Sequence, residues 1–170
     1  ENGKFKTISS KKETATPKGA NYNYVDISGK HIYPGLIALN TTIGLTEVDA
    51  VRATRDFREV GYMNPSIRSI IAYNTDSDVT PTVRSNGVLM AQIVPQGGRI
   101  SGQSSLVQLD AWNWEDAALA TDIGIHLRWP RKSNYNWRQR KSTPNEKYED
   151  QILEIDHYLK EGKAYASAKS

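Results

Sequence analysis

Cysteine is absent from the 170 residues. That excludes a disulfide framework, a thiolate metal site and a cysteine nucleophile, and it leaves the compartment open, since cysteine-free proteins occur in all compartments. Histidine is scarce. His31, His126 and His157 are the only three, and no two stand two or four positions apart. There is thus no His-x-His strand motif and no helical histidine pair of the kind that grips a metal. No apolar run approaches the ~20 residues that a membrane-spanning helix needs. No internal repeat is visible. A net charge of +3 argues neither for nor against a polyanionic partner.

What is present suits a globular domain. Charged residues make up 24% and hydrophobic residues 38% of a chain of 170, room for one domain of ordinary size. The informative stretch is Tyr33-Pro34-Gly35-Leu36-Ile37-Ala38-Leu39-Asn40-Thr41-Thr42. Proline fixes its φ and glycine accepts positive φ, so Pro34-Gly35 marks a sharp entry. Leu36–Leu39 has the length of a short buried strand. Asn40, Thr41 and Thr42 then present polar groups at its C-terminal end, where parallel α/β folds build their sites.

Around this stretch the chain reads in order. Asn2-Gly3 is a turn, Phe5 and Ile8 supply part of a strand, and Ser9–Gly19 is a polar loop. Asn21–Ile27 alternates as a half-buried strand does, before a turn at Ser28-Gly29-Lys30. Opening at Glu1 with a strand entered midway, the chain reads as a piece of a longer protein; release from a tag would give the same start. Residues 46–60 suit partial helix, 64–73 a loop and short helix, and 78–85 a helix with Pro81 in its first turn. Asn86-Gly87 is a turn, and Val88–Val94 is the strongest strand, apolar enough to lie covered on both faces. Pro95–Ser104 reads as a glycine-rich loop and Ser105–Leu109 as another strand. A short helix follows to Ala120, then a strand over 122–127. Thr143-Pro144-Asn145-Glu146 has the form of a capping box, and Tyr148, Ile152, Ile155 and Leu159 fall at helical spacing, predicting a helix from 144 to about 168.

Two sets of residues carry a family resemblance. Gly29-Lys30-His31-Ile32-Tyr33-Pro34-Gly35 looks like the junction by which amidohydrolases pass from a small β-sandwich into their barrel. Pro34–Thr42 resembles their first barrel strand, which usually reads Pro-Gly-hydrophobic-hydrophobic-Asp-x-His-x-His. Gly87-Val88-Leu89-Met90 followed by Gly102-Gln103-Ser104 is similar in order to the second strand and following loop of imidazolonepropionase-like members. The resemblance spans residues 1–127. It departs where the chemistry lies: Ala38 stands at the aspartate position, and Asn40 and Thr42 at the two histidine positions.

The expected fold class is therefore α/β: a small β-sandwich segment plus the first strands and helices of a (β/α)8 metal-dependent-hydrolase barrel, incomplete in this chain, since a whole barrel takes ~250 residues. The expected division is 1–33 β-sandwich segment, 34–127 partial barrel, 128–141 basic loop and 142–170 amphipathic helix. A partial barrel exposes strand edges, which implies association with the missing C-terminal barrel half or with itself.

Asn40 and Thr42 are either a remodelled substrate-binding pair or a strand end that caps neighbouring backbone; the second is the plainer reading. Gly97–Ser104 has the shape Gly-x4-Gly-x-Ser, but Gln103 stands where a P-loop has lysine. Arg99, Ser101, Gln103 and Ser104 are then either hydrogen-bonding groups for a small-molecule ligand at the barrel mouth or parts of a plain loop. His126 lies where a strand end would bring it near a site. Arg128, Arg131, Lys132, Arg138, Arg140 and Lys141 interleave with Trp129, Tyr135 and Trp137, and no acid occurs between Asp122 and Glu146. That pattern suits single-stranded nucleic acid, yet an exposed rim loop pinned by tryptophans explains it more simply.

The resemblance implies a parent protein that hydrolyses non-peptide carbon–nitrogen bonds of amides or cyclic amides with metal-activated water. This chain itself is expected to hold no metal and to lack a completed catalytic set; zinc, where the parent uses it, falls to later strands. The Ala38, Asn40 and Thr42 replacements also suit a catalytically dead binding or structural protein on the same scaffold.

Overall fold

A computed structural model describes residues 4, 5, 7, 8, 10 and 23–169. The chain divides into two compact units, Glu1–Pro34 and Gly35–Ser170.

In the first unit the described residues form no strand. The strand expected over Asn21–Ile27 is not made at 23–27, where Tyr24 and Val25 stay exposed. An alternating strand needs a partner sheet to bury its apolar face. Residues 21 and 22, the Asn2-Gly3 turn and most of Ser9–Gly19 lie outside the described residues. The Ser28-Gly29-Lys30 turn does form. The Asp26 carboxylate accepts from the Ser28 hydroxyl at 2.7 Å and from its backbone N–H at 2.9 Å, and Gly29 takes φ 72°. Those bonds, the hydroxyl first, hold the Asp26 carboxyl below its ordinary value.

The second unit is built on a four-stranded sheet ordered β1-β2-β3-β4. Strand β1 (Leu36–Thr41) pairs in parallel with β2 (Val88–Ile93), Leu36 opposite Val88 and Thr41 opposite Ile93. The crossover between them carries 3₁₀ turns at Arg52–Thr54 and Ser69–Ala72 and helix α1 (Val79–Ser85), which packs on β2. Residues 46–60 form only the first of those turns, consistent with the weak helix propensity of a segment rich in valine, threonine and aspartate. Strand β3 (Ile100–Gln108) runs antiparallel to β2, and β4 (Ala118–Leu127) antiparallel to β3. The parallel pairing expected throughout thus holds for β1–β2 alone, and the sheet is mixed.

β2 covers only the C-terminal half of β3, from Ser105 to Gln108. The earlier half takes a different neighbour. Residues 58–68 run beside it through parallel bridges Met63↔Ile100 and Arg68↔Gln103, with Gln103 N–H donating to Ile67 C=O at 2.7 Å. This explains the glycines. Gly102 sits at φ 127°, and a Cβ there would lie 2.5 Å from Ile67 O. The glycine-rich stretch is therefore a loop only as far as Arg99; Ile100–Ser104 is strand, made with glycine because another backbone approaches closely.

The core lies on the face of this sheet bearing Ala91, Ile93 and Val107, closed by Leu45, Ile70, Tyr73, Leu109 and Ala117. A short helix α2 (Trp114–Ala117), whose Asn113 side chain accepts from Asp116 N–H at 2.7 Å, precedes β4.

The expected basic loop over 128–141 contains most of a hairpin: β5 (Ser133–Asn136) pairs with β6 (Lys141–Pro144). Its tryptophans do not pin it down. Trp137 is 83% exposed and touches Tyr135 edge-on at 4.8 Å. Pro144 belongs to β6, so helix α3 is Tyr148–Lys169 rather than starting at 144. Asn145, not Thr143, meets its first turn, accepting from Lys147 N–H at 3.2 Å. Of the predicted apolar stripe Ile155 is buried, Tyr148 and Ile152 are half-buried and Leu159 is exposed.

Candidate functional site

The C-terminal ends of β1, β2 and β4 meet the N-terminal end of β3, because β3 alone runs the other way. A cleft of about 220 Å³ opens there, with Asn40, Gln96, Ser101, His126 and Arg128 as its polar lining. They come from the ends of all four strands, His126 and Arg128 both from β4, which is how a sheet gathers distant residues into one site.

Asn40 closes β1 at φ 50°. That left-handed conformation is one that asparagine tolerates better than most residues. Below it a hydrogen-bond relay crosses the sheet. Asn40 N–H donates to Gln92 Oε1 at 3.4 Å, Gln92 Nε2 donates to Ser104 Oγ at 3.2 Å, and Ser104 Oγ donates to Gly124 C=O at 3.4 Å. Gln92 is a polar residue in an otherwise apolar strand, and this relay occupies it.

Of the residues singled out by sequence, Asn40 and Ser101 line the cleft together with His126. Ser104 lies fully buried beneath it in the relay. Thr42 does not line it; its C=O accepts from Leu45 N–H at 2.9 Å, so it serves the chain reversal after β1. Gln103 is committed elsewhere, with Nε2 donating to Pro65 C=O at 2.9 Å. Arg99 lines a neighbouring cavity that shares Arg128 with the cleft. Sequence reasoning missed Gln92 and Gln96, and it named Arg128 only as one member of the basic run. A glutamine inside Val88–Val94 was a usable signal; nothing in the basic run distinguished Arg128.

Burial pushes the His126 imidazole below the ordinary histidine value, so it is neutral near pH 7. The Ser101 hydroxyl donates to His126 C=O at 3.5 Å rather than to the ring, and among the described residues no base is hydrogen-bonded to it as a nucleophile would require. Two amides, a hydroxyl, a neutral imidazole and a guanidinium are groups able to hydrogen-bond a carbonyl or carboxylate. They do not fit a zinc ion. Zinc takes imidazole, thiolate or carboxylate donors, and among the described residues no group of three His, Cys, Asp or Glu side chains could hold a metal.

No protein-family model matches the sequence, and no curated protein matches it. A solved structure does match in three dimensions: an amidohydrolase from Thermotoga maritima MSB8, at TM-score 0.79 and 23% identity over 99% of this chain. The chain spans 43% of that protein's length. Its architecture is an amidohydrolase-like fold.

Proposed function

We propose that this chain is the N-terminal portion of an amidohydrolase of the imidazolonepropionase-like kind, whose parent hydrolyses non-peptide carbon–nitrogen bonds in amides or cyclic amides. The observation that carries the reading is the superposition of 99% of the chain on the Thermotoga amidohydrolase. The sequence order Gly87–Met90 then Gly102–Ser104 supports the narrower assignment, with Gly102–Ser104 lying in strand β3 rather than in the loop that the resemblance implied. In this reading the cleft at Asn40, Ser101 and His126 contributes substrate-binding groups, and any metal is held by ligands on later strands of the parent.

The chain alone is inactive in this reading, and its partner is the remainder of the parent. β1 and β4 are the outer strands of the sheet. Leu36, Ile37 and Leu39 on β1 and Leu119, Ile123, Ile125 and Leu127 on β4 are left half-exposed or more. Apolar edge strands of this kind call for covering.

Asn40 and Thr42 in place of a histidine pair favour a second reading, a binding or structural protein on the same scaffold. Elemental analysis of the intact parent, purified without chelator, separates the two. About one zinc per chain, with turnover of an amide or cyclic amide panel, supports the hydrolase. No metal after incubation with zinc, and no turnover, overturns it in favour of the binder. Amide hydrolysis by the isolated 170 residues would refute the claim that the chain alone is inactive.

A further inference from the structure

Beside the cleft lies a larger cavity of about 860 Å³, between the end of β4, the β5–β6 hairpin and the start of α3. Four cationic residues line it: Arg99, Arg128, Arg131 and Lys147. No acidic residue does. Gathering like charges around one space is unfavourable unless something of opposite sign sits there.

Arg99 sharpens the point. It is only 7% exposed. Its Nη1 donates to Arg128 C=O at 3.0 Å and its Nη2 to Tyr62 Oη at 2.7 Å. The buried Nε has no hydrogen-bond partner, and among the described residues no carboxylate pairs with the guanidinium. A buried cation without a counter-charge is costly. The neutral partners orient it and leave its charge uncompensated.

Hydrogen bonds tie together the segments that carry two of the charges. Asn145 Nδ2 donates to Arg131 C=O at 2.8 Å and to Gln151 Oε1 at 3.1 Å, and Asn145 N–H donates to Lys132 C=O at 2.9 Å. One asparagine thus ties the segment that carries Arg131, just before the hairpin, to helix α3, whose start follows Lys147.

We propose that this cavity is a binding site for a phosphate-bearing small molecule. A phosphate ester carries close to two negative charges at neutral pH and accepts the forked guanidinium bonds that arginine supplies. A monocarboxylate brings half that charge to four cations. The cavity is concave and of small-ligand size, which favours a compact ligand over an extended nucleic-acid strand. The site stands independently of any hydrolytic activity.

The test is calorimetric titration of the intact parent with pyrophosphate at low salt, against acetate and a short single-stranded oligonucleotide. Pyrophosphate is expected to bind, with acetate at least about tenfold weaker. Arg131→Ala and Lys147→Ala, both exposed and outside the cleft, are each expected to weaken pyrophosphate binding about tenfold or more with unchanged circular dichroism. Three results would overturn the proposal: no pyrophosphate binding, binding unaltered in both variants, or an oligonucleotide that binds more tightly through the same two residues. Because the readout is binding, a parent that proves inactive on amides leaves this result intact.

Discussion

Arg99 and Arg128 hold each other by two hydrogen bonds: Arg128 N–H donates to Arg99 C=O at 2.8 Å, and the Arg99 side chain returns through Nη1 to Arg128 C=O at 3.0 Å. One arginine precedes β3 and the other follows β4, so the pair staples the two strands at the end where the cleft opens. It also puts Arg128 into the wall shared by cleft and cavity.

Tyr62 completes that staple, and its ring and hydroxyl are separable. The Arg99 guanidinium lies 5.2 Å from the ring centroid and bonds the hydroxyl at 2.7 Å. Tyr62→Phe keeps the ring and removes the acceptor. A hydrogen bond to a charged group contributes about 1.5–3 kcal/mol. Tyr62 is half-exposed, so water takes over part of the role, and the expected loss is near the lower end. Urea unfolding of wild type and variant would measure it; no change in midpoint would show that the hydroxyl does nothing for Arg99.

Gly102 is a second point at which backbone geometry decides. Its φ of 127° is strained for any side chain, and a Cβ would meet Ile67 O at 2.5 Å. Positive φ at a non-glycine residue costs of order 1–3 kcal/mol, and the contact with backbone adds to it. Gly102→Ala is expected to unfold at clearly lower urea than Gly124→Ala, where the nearest atom is the Ser104 hydroxyl at 3.8 Å. Equal midpoints would mean that residues 58–68 do not approach β3 as described.

At Asn40 the prediction turns on comparing two substitutions. Asn40→Gly suits φ 50°, whereas Asn40→Ala places an ordinary side chain in a left-handed conformation at about 1–2 kcal/mol. Glycine should be the milder change for stability. Both remove the amide from the cleft, so a loss of ligand binding common to both would separate the site role from the conformational one.

How far the sequence spoke for this fold depends on where the stabilising contacts come from. Leu36–Thr41 and Val88–Ile93 were legible as strands because an apolar run between turn signals marks one, but the expected burial holds only in part for β2 and fails for β1, an outer strand that leaves Leu36, Ile37 and Leu39 exposed. The start of β3 was not. Gly102 and Ser101 look like loop residues, and their strand exists because β4 pairs with it on one side and residues 62–68 lie along the other, contacts that no local pattern records. The β5–β6 hairpin was hidden for a related reason: Ser133–Asn136 has no apolar alternation, and it is held by Asn145 reaching back to Arg131 and Lys132. Helix α3 was legible in type but not in start, since Thr143-Pro144 belongs to the hairpin strand β6 and does not cap the helix. Within the site, Asn40 and His126 followed from their places at strand ends. The pairing of Arg99 with Arg128 joins positions whose proximity depends on the antiparallel β3–β4 register, and nothing in a one-dimensional reading sets that register.

His126 gives the cleft a pH signature. Burial lowers its folded-state value below the ordinary one of an unfolded chain, so the unfolded state binds the proton more readily. Stability from this residue is therefore complete above the ordinary histidine range, near pH 6.5, and is lost as pH falls through the lowered folded value. His126→Gln, which keeps a polar side chain without a titration in this range, should flatten that part of the stability–pH curve between roughly pH 5 and 7. The matching direct observation is the imidazole titration followed by NMR. A midpoint below the ordinary histidine value, about 6.5, would agree with a half-buried ring in the cleft; a midpoint at or above it would show that the ring is solvated or paired with an acid, and its place among the cleft's neutral hydrogen-bonding groups would fall.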